Sequence, residues 1–493
     1  MVLDRINRRG GYGSGGVDRA VALSAVSLRE DSDLLKKLIL LIFLSVSLGV
    51  LGARSGLSFH QATAISIFSA SVLGTLFFWN FRLTFAFFGT SILLVTKTID
   101  LENLVQFASL EVILFLVGMM VLVGLLKDSG FFAWLVSLIL RMRKLTADKF
   151  IVLIIMISAI LTCAVDEVTA IIFIVAAVFE ICDYFEVDPT PFLIISVLAT
   201  NIGSSGTVLG NPIGILIATK SGLTFEDFIT RAFPLMLICM LVLIAIVRRW
   251  YRPTIRQLQE RMDEFGANDL LIKLISVPPE KELKVSLAIF GVTLFFISLH
   301  HRMELFFGLK PNTILLIIPL LSSGCVMAWK WRKAREFIEK DVEWWTLLFF
   351  LLLFAQAGTL KYTGATDVMA RSLANFAGNS LNALIGIVLW IATIGSSLLD
   401  NVVLVAAFIP VIQGFGAMDI NLQPLWWALL FGGCFGGNIT VIGSTANIVA
   451  LGILEKERNI HIAFLRWFWI GLTVGAVSAC IVWLALIFLP FYR

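Results

Sequence analysis

Residues 121–130 read VLVGLLKDSG and residues 355–364 read AQAGTLKYTG, so Gly124, Leu126, Lys127 and Gly130 recur as Gly358, Leu360, Lys361 and Gly364, each 234 positions further on. The same step carries Asp166 of CAVDEV onto Asp400 of SLLDNV. Downstream, Thr207-Val208-Leu209-Gly210 matches Thr440-Val441-Ile442-Gly443. The chain is two copies of one unit, and each copy sets an acid and a glycine-rich stretch within long apolar sequence.

The solvent of that unit follows from composition. With 59% apolar residues, 15% charged residues and a mean hydropathy of +0.94, a water-facing surface would be far too apolar. The chain belongs in a bilayer. Helical spans need apolar runs of about 17–25 residues, and plain runs lie at 34–53, 62–79, 83–97, 108–126, 232–247, 285–299, 312–328, 344–360 and 467–489. A net charge of +4 without a basic stripe excludes nucleic acid as a partner.

Lys and Arg cluster at 5–37, 141–149, 248–261 and 330–335. The positive-inside rule puts all four clusters on the cytoplasmic side. That threading requires 191–219 and 424–455 each to cross once, while 150–183 and 380–415 enter and return on one side. The expected fold is an all-α integral membrane protein with about eleven transmembrane helices, two re-entrant hairpins and two broken helices. An odd number of crossings per copy makes the second repeat inverted relative to the first. The expected units are a basic, disordered cytoplasmic tail at 1–33, an extra first helix at 34–57, repeat one at 58–249, a cytoplasmic linker with an amphipathic helix at 250–283 and repeat two at 284–493. The protein is expected to be multi-pass in a plasma or inner membrane, with its N-terminus in the cytoplasm.

The chemistry concentrates in two paired motifs. CAVDEVTAIIF (163–173) is followed by TNIGSSGTVLGNPIGILIA (200–218), and SSLLDNVVLVAAF (396–408) by GGCFGGNITVIGSTANIVA (432–450). Glycines this dense, Gly203, Gly206 and Gly210 in one copy and Gly436, Gly437 and Gly443 in the other, break a spanning helix. Broken backbone at membrane depth is tolerated only where it is buried or lines a cavity. Freed carbonyls and half-helix C-termini suit a cation, and half-helix N-termini suit an anion.

An Asp at the bilayer midplane costs roughly 2.5–3.5 kcal/mol on insertion scales, so something must offset it. In one reading Asp166, Glu167 and Asp400 bind Na⁺ or H⁺ at the hairpin tips. Thr169, Asn201, Ser204, Ser205, Thr207, Asn211, Asn401, Asn438, Thr440, Ser444, Thr445 and Asn447 would supply oxygens and amides beside them. In the other reading Asp-Glu and Asp-Asn simply cap the hairpin helices, and the two roles can coexist. Lys127 and Lys361 are either charge partners of the site or side chains reaching the interface at helix ends. The six cysteines are single, so neither a disulfide framework nor a zinc site is supported. Cys163 and Cys434 lie near enough to the motifs to serve a thiophilic substrate such as arsenite, or else fill apolar space. His60, His300, His301 and His461 fall in predicted loops, facing water.

FLVGMMVLVGLLKDSGFF (115–132), TNIGSSGTVLGNP (200–212), SSLLDNVVLVAA (396–407) and GGNITVIGSTANIV (436–449) together resemble one family. It is the ion-transporter superfamily of arsenite permeases, NhaD-type sodium/proton antiporters, the melanosomal P protein and the dicarboxylate/sodium symporters. The resemblance covers about residues 80–490 and implies a helical scaffold around a transport core, elevator motion and a homodimer. It implies ion binding at Asp166 with Glu167, at Asn201 to Asn211 including Gly203 and Gly210, at Asp400 with Asn401, and at Gly437 to Asn447 including Gly443.

Two positions depart from the family. The carboxylate symporters carry Ser-Asn-Thr at both tips where this chain has VDEVT and LDNVV, and P-protein relatives have an Asp where this chain has Asn211. With three acids and no arginine near the tips, a small cation or a neutral weak acid is easier to hold than a multiply charged anion. The expectation is a secondary active transporter of a small inorganic ion coupled to H⁺ or Na⁺ through Asp166 and Asp400, of sodium/proton type, with no cofactor. The alternatives are an arsenite or other small-anion efflux permease, which would add a soluble ATPase partner, and an ion channel. Neither a P-loop nor a His-Glu-x-x-His helix is present, which excludes ATP-driven transport within this chain and a zinc protease.

Overall fold

The structure is a computed structural model describing residues 15–140, 146–265, 281–378 and 380–492, and no strand occurs among them. Helix α1 (Gly15–Arg54) starts within the segment expected as a disordered tail. Ala, Leu, Arg and Glu from residue 18 onward are good helix formers and run into the apolar stretch without a proline. Residues 1–14 of the expected tail and 266–280 of the expected linker lie outside the described residues.

The first copy continues with α2 (Phe59–Phe77), α3 (Arg82–Val95), α4 (Leu101–Phe107), α5 (Leu110–Asp128) and α6 (Phe131–Leu140). A helical hairpin follows, α7 (Ala147–Ala164) and α8 (Glu167–Tyr184), then two short helices, α9 (Thr190–Gly203) and α10 (Pro212–Ser221). Helix α11 (Phe225–Trp250) leads to α12 (Arg252–Phe265), the expected amphipathic helix. It is held where Gln259 accepts from the Ala147 amide at the start of α7 (2.9 Å).

The second copy comprises α13 (Lys281–Ser298), bent by 61° into α14 (His300–Phe307), then α15 (Thr313–Trp329), α16 (Trp344–Tyr362) and α17 (Ala365–Phe376). Its hairpin is α18 (Leu381–Leu398) with α19 (Asn401–Phe415), its short helices are α20 (Gln423–Gly436) and α21 (Thr445–Arg458), and α22 (Phe464–Phe488) ends the fold.

Eight described helices are long and apolar enough to cross a membrane, or nine if α13 and α14 form one span. Hairpin arms α7, α18 and α19 pass that test, whereas α9, α10, α20 and α21 do not. At 1.5 Å per residue a 14-residue helix spans only about 21 Å, short of the hydrocarbon core. Every residue of α9 is buried, and so is nearly all of α20, as expected for helices apolar on all sides. The bundle is built around these two.

Equivalent pairs repeat across the molecule. Helix α7 packs on α9 and α18 on α20, while α8 crosses to α21 and α19 to α10, tying each hairpin to the opposite repeat. A Cβ on Gly203 would lie 2.6 Å from the Ala159 Cα, and one on Gly436 would lie 2.2 Å from the Thr393 carbonyl. Ala159 and Thr393 are themselves 234 apart. Outside this core, α15 packs on α5, and α16 on α3 and α5.

Ion pairs join helix ends: Lys330 to Glu282 and Asp128, Lys333 to Asp128, and Arg248 to Asp148. Their basic members come from the clusters at 248–261 and 330–335. One expectation fails outright. His300 is buried rather than water-facing, its Nδ1 bonded to the Ile297 carbonyl (2.9 Å), because the bend between α13 and α14 folds it inward.

Candidate functional site

Four half-helices start at the centre of the molecule, and each carries its own cap. Asp166 accepts from the Val168 amide (3.1 Å), the Thr169 amide (2.9 Å) and the Thr169 hydroxyl (2.6 Å) at the start of α8. Asp400 accepts from the Val402 amide (3.0 Å) and the Thr445 hydroxyl (2.6 Å) at the start of α19. Asn211 accepts from the Gly214 amide (2.9 Å) before α10, and Ser444 from the Ala446 amide (3.2 Å) before α21. Asp, Asn and Ser are the residues that satisfy orphan N–H groups at helix starts. Capping is therefore realised at both tips; both Asp166 oxygens are engaged at the start of α8, whereas Asp400 caps α19 with Oδ1 and accepts from Thr445 of α21 with Oδ2.

The loops between the half-helices are fixed by one device used twice. Thr207 Oγ1 donates to the Cys163 carbonyl (2.6 Å) and accepts from the Leu209 amide (3.2 Å). Thr440 Oγ1 donates to the Ser397 carbonyl and accepts from the Ile442 amide (3.3 Å). Each threonine thus pins its broken helix to the first arm of its own hairpin. Gly210 and Gly443 allow the fold-back, since a Cβ there would lie 2.4 Å from the Ser204 carbonyl and 3.0 Å from the Gly437 carbonyl.

Between the tips lies Glu167, buried and bonded through Oε1 to Asn401 Nδ2 (3.1 Å) and Ser444 Oγ (3.3 Å). Asn401 is the residue equivalent to Glu167, so the two repeats meet where these side chains touch. Oε2 of Glu167 has no partner. Nearby, Asn201 Nδ2 donates to Asn438 Oδ1 (3.0 Å) and Asn447 Oδ1 (2.9 Å), while Asn201 Oδ1 and Asn438 Nδ2 stay unpartnered. Asn447 donates to the Gly437 (2.7 Å) and Thr440 (2.8 Å) carbonyls. Asn211 Nδ2 donates to Ser204 Oγ (2.9 Å) and faces Cys434 Sγ (3.2 Å). Ser204 and Ser205 turn back to the Asn201 and Ile202 carbonyls of α9.

A buried carboxylate with an idle oxygen is costly. The helix starts beside it offset part of that cost through their positive dipole ends. The remaining unpartnered oxygens are what a proton or a dehydrated cation would satisfy.

Every residue expected from the motifs lies in this cluster or in the turns that shape it. The lysine pair does not. Lys127 bonds Asp341 (3.2 Å) and Lys361 bonds Gln413 (2.8 Å), and neither bonds a tip acid. Glu111 pairs with Lys220 (3.0 Å).

An arginine does adjoin the tips, contrary to the sequence reading. Arg82, from the junction of α2 and α3, lines a cavity of about 260 Å³ with Glu343, Thr346, Val168 and Thr445. It lies 84 residues before Asp166 and reads as a loop between two apolar runs, so nothing local links it to the tips. The available signal was an ionisable residue interrupting apolar sequence. A second cavity, of about 250 Å³, lies at the other end of α16 between Ser109, Leu216, Lys220, Lys361 and Gln413. It reaches only Ala406 on α19, five residues short of Asn401, whereas the first reaches Val168 and Thr445, next to Glu167 and Ser444.

The profile of the family described as citrate transporter matches residues 75–432. A protein named as an uncharacterized transporter of Mycobacterium tuberculosis is 30% identical over 372 residues, 75% of this chain and 83% of its own length. The 46 kDa membrane protein of Mycobacterium leprae is 27% identical over 371 residues, with the same coverage. The human P protein is 26% identical over 454 residues, covering 78% of this chain and 54% of that longer protein.

Proposed function

The chain belongs to the citrate transporter family and is a membrane transporter rather than an enzyme, and from that premise we propose a secondary active transporter coupled to H⁺ or Na⁺ through Glu167. The observation that carries this reading is the unpartnered Glu167 oxygen, buried where the two repeats meet and ringed by capped helix starts. Asp166 and Asp400 hold the tips in shape and add negative charge beside it. The minimal cycle exchanges Na⁺ for H⁺ on that carboxylate, as in a sodium/proton-type exchanger.

The two cavities, at opposite ends of α16, support alternating access. The hairpins are re-entrant and carry the site, with the broken helices, along a scaffold of α2 to α5 and α13 to α16 in an elevator-type motion. The end bearing Lys330 and Lys333 faces the cytoplasm by the positive-inside rule, so the described arrangement is open inward. A homodimer joined through the scaffold fits such a motion. The dense side-chain packing at the centre favours a transporter over a channel with a continuous pore.

The test is pH-gradient dissipation in proteoliposomes on adding Na⁺, Li⁺ or K⁺, with citrate, with arsenite and without cargo. Glu167→Gln is expected to abolish every cation-dependent signal while the purified protein stays monodisperse. An unchanged signal in Glu167→Gln would overturn the assignment. Arsenite uptake without any cation dependence would instead support the metalloid permease.

A further inference from the structure

At the end of α16 away from Lys330, two polar contacts join the scaffold to the core beside the second cavity. Lys220, on α10, pairs with Glu111 at the start of α5 (3.0 Å). Lys361, near the end of α16, donates to Gln413 Oε1 on α19 (2.8 Å). Gln413 Nε2 in turn donates to the Lys220 carbonyl (3.5 Å). Glu111, Lys220, Gln413 and Lys361 therefore form one chain, with scaffold residues at its two ends and core residues in its middle.

The duplication supplies no counterpart of this chain at the cytoplasmic end. At the 234-residue step Glu111 corresponds to Trp345 and Gln413 to Phe179, and the 233-residue step that pairs Thr207 with Thr440 sets Lys220 against Ile453. None of these three counterparts carries a charge. Lys361 alone keeps its type, as Lys127, but Lys127 bonds Asp341, and both of those belong to the scaffold. A core that slides must break Glu111–Lys220 and Lys361–Gln413, whereas Lys127–Asp341 stays whole. In the reverse arrangement Trp345, Ile453 and Phe179 offer no equivalent bonds.

We propose that these four side chains are a one-sided latch, which ties core to scaffold at the outer end and biases the protein towards the described, inward-open arrangement. The proposal rests on the alternating-access reading, in which core and scaffold move past each other. A contact shifts a two-state equilibrium only by the difference it makes between the states. This chain makes such a difference because the two repeats, alike in fold, are unlike at these positions. The Lys220 and Glu111 side chains are 27% and 40% exposed, so their pair is a weak one. Removing a pair of that kind moves an equilibrium by up to about fivefold. A weak latch suits a transporter, since the core has to release it in every cycle.

The experiment is cysteine accessibility in oriented proteoliposomes of the full chain, with Ala406→Cys reporting the outer cavity and Val449→Cys the cytoplasmic one. Ala406 is buried, so its labelling requires the outer end to open. Cys325 and Cys480 are replaced by serine, and a membrane-impermeant maleimide is scored at each introduced cysteine by peptide mass spectrometry. The ratio of outer to cytoplasmic labelling rates reads the balance of states. Glu111→Gln is expected to raise that ratio about two- to fivefold, and Lys361→Met to raise it through the other bond. Exchanging the charges, Glu111→Lys with Lys220→Glu, is expected to restore it. Asp341→Asn, which removes a bond inside the scaffold, is expected to leave it unaltered.

An unchanged ratio in both Glu111→Gln and Lys361→Met overturns the latch. So does an equal rise in Asp341→Asn, or a rise in Glu111→Gln that the charge exchange does not reverse. The two reporters are also labelled without latch substitutions, with and without Na⁺ and at neutral and acidic pH. If cations move the ratio while the latch variants do not, the latch fails and alternating access stands. If both cysteines label from one side only under every condition, the alternating-access reading itself fails.

Discussion

At the scale of single residues the three tip acids separate into two kinds. Asp166 and Asp400 are held by backbone amides and threonine hydroxyls, which is what a cap requires. Glu167 caps nothing and keeps one oxygen idle. Asn caps a helix as well as Asp does. Asp166→Asn and Asp400→Asn are therefore expected to unfold within about 0.5 kcal/mol of the unsubstituted protein, whereas Asp166→Ala loses about 1 kcal/mol. Thermal unfolding in detergent measures both. If transport then falls in the Asn variants at unchanged stability, the charge matters beyond the cap. The motif residues were legible because side-chain type and duplication both mark them. Which acid is idle was not legible, because Asn401 and Ser444 reach Glu167 from 234 and 277 residues away.

At the scale of elements the two broken helices depend on close approach to their hairpins. Gly436→Ala would set a Cβ 2.2 Å from the Thr393 carbonyl, and Gly203→Ala would set one 2.6 Å from the Ala159 Cα. Neither neighbour is a flexible side-chain end, so each change is expected to cost about 1–3 kcal/mol as overpacking. Gly291 on α13 has nothing within 4 Å of its Cβ position, and Gly291→Ala is expected to be neutral or to add up to about 1 kcal/mol. Melting temperatures of the three variants check this contrast. Equal losses at all three sites would show that helix propensity, not approach, governs these glycines. Glycine density announced the breaks in the sequence. Helix α1 begins at Gly15, ahead of its apolar run, because a charged stretch rich in Ala, Leu and Arg can extend a helix N-terminally.

At the scale of the whole molecule the two cavities make access to the centre unequal. With the end bearing Lys330 in the cytoplasm, a cysteine at Val449 is expected to react with a membrane-impermeant thiol reagent from the cytoplasmic side. A cysteine at Gln413 should react from the other side. The measurement uses everted and right-side-out vesicles with Cys325 and Cys480, both exposed, replaced by serine. Labelling of both positions from one side would contradict the inverted arrangement.

Composition, the 234-residue step and the glycine-broken motifs by themselves determined a membrane-embedded helical duplication with its polar chemistry at two hairpins and two breaks. Those features are periodic or compositional, and the bilayer leaves apolar helices few alternatives. Only the tertiary structure decided that Glu167 faces its own repeat equivalent, that the lysines stand apart from the tips, and that Arg82 borders them. Each of these depends on contacts between segments far apart in the chain, where local sequence carries no record of its partner.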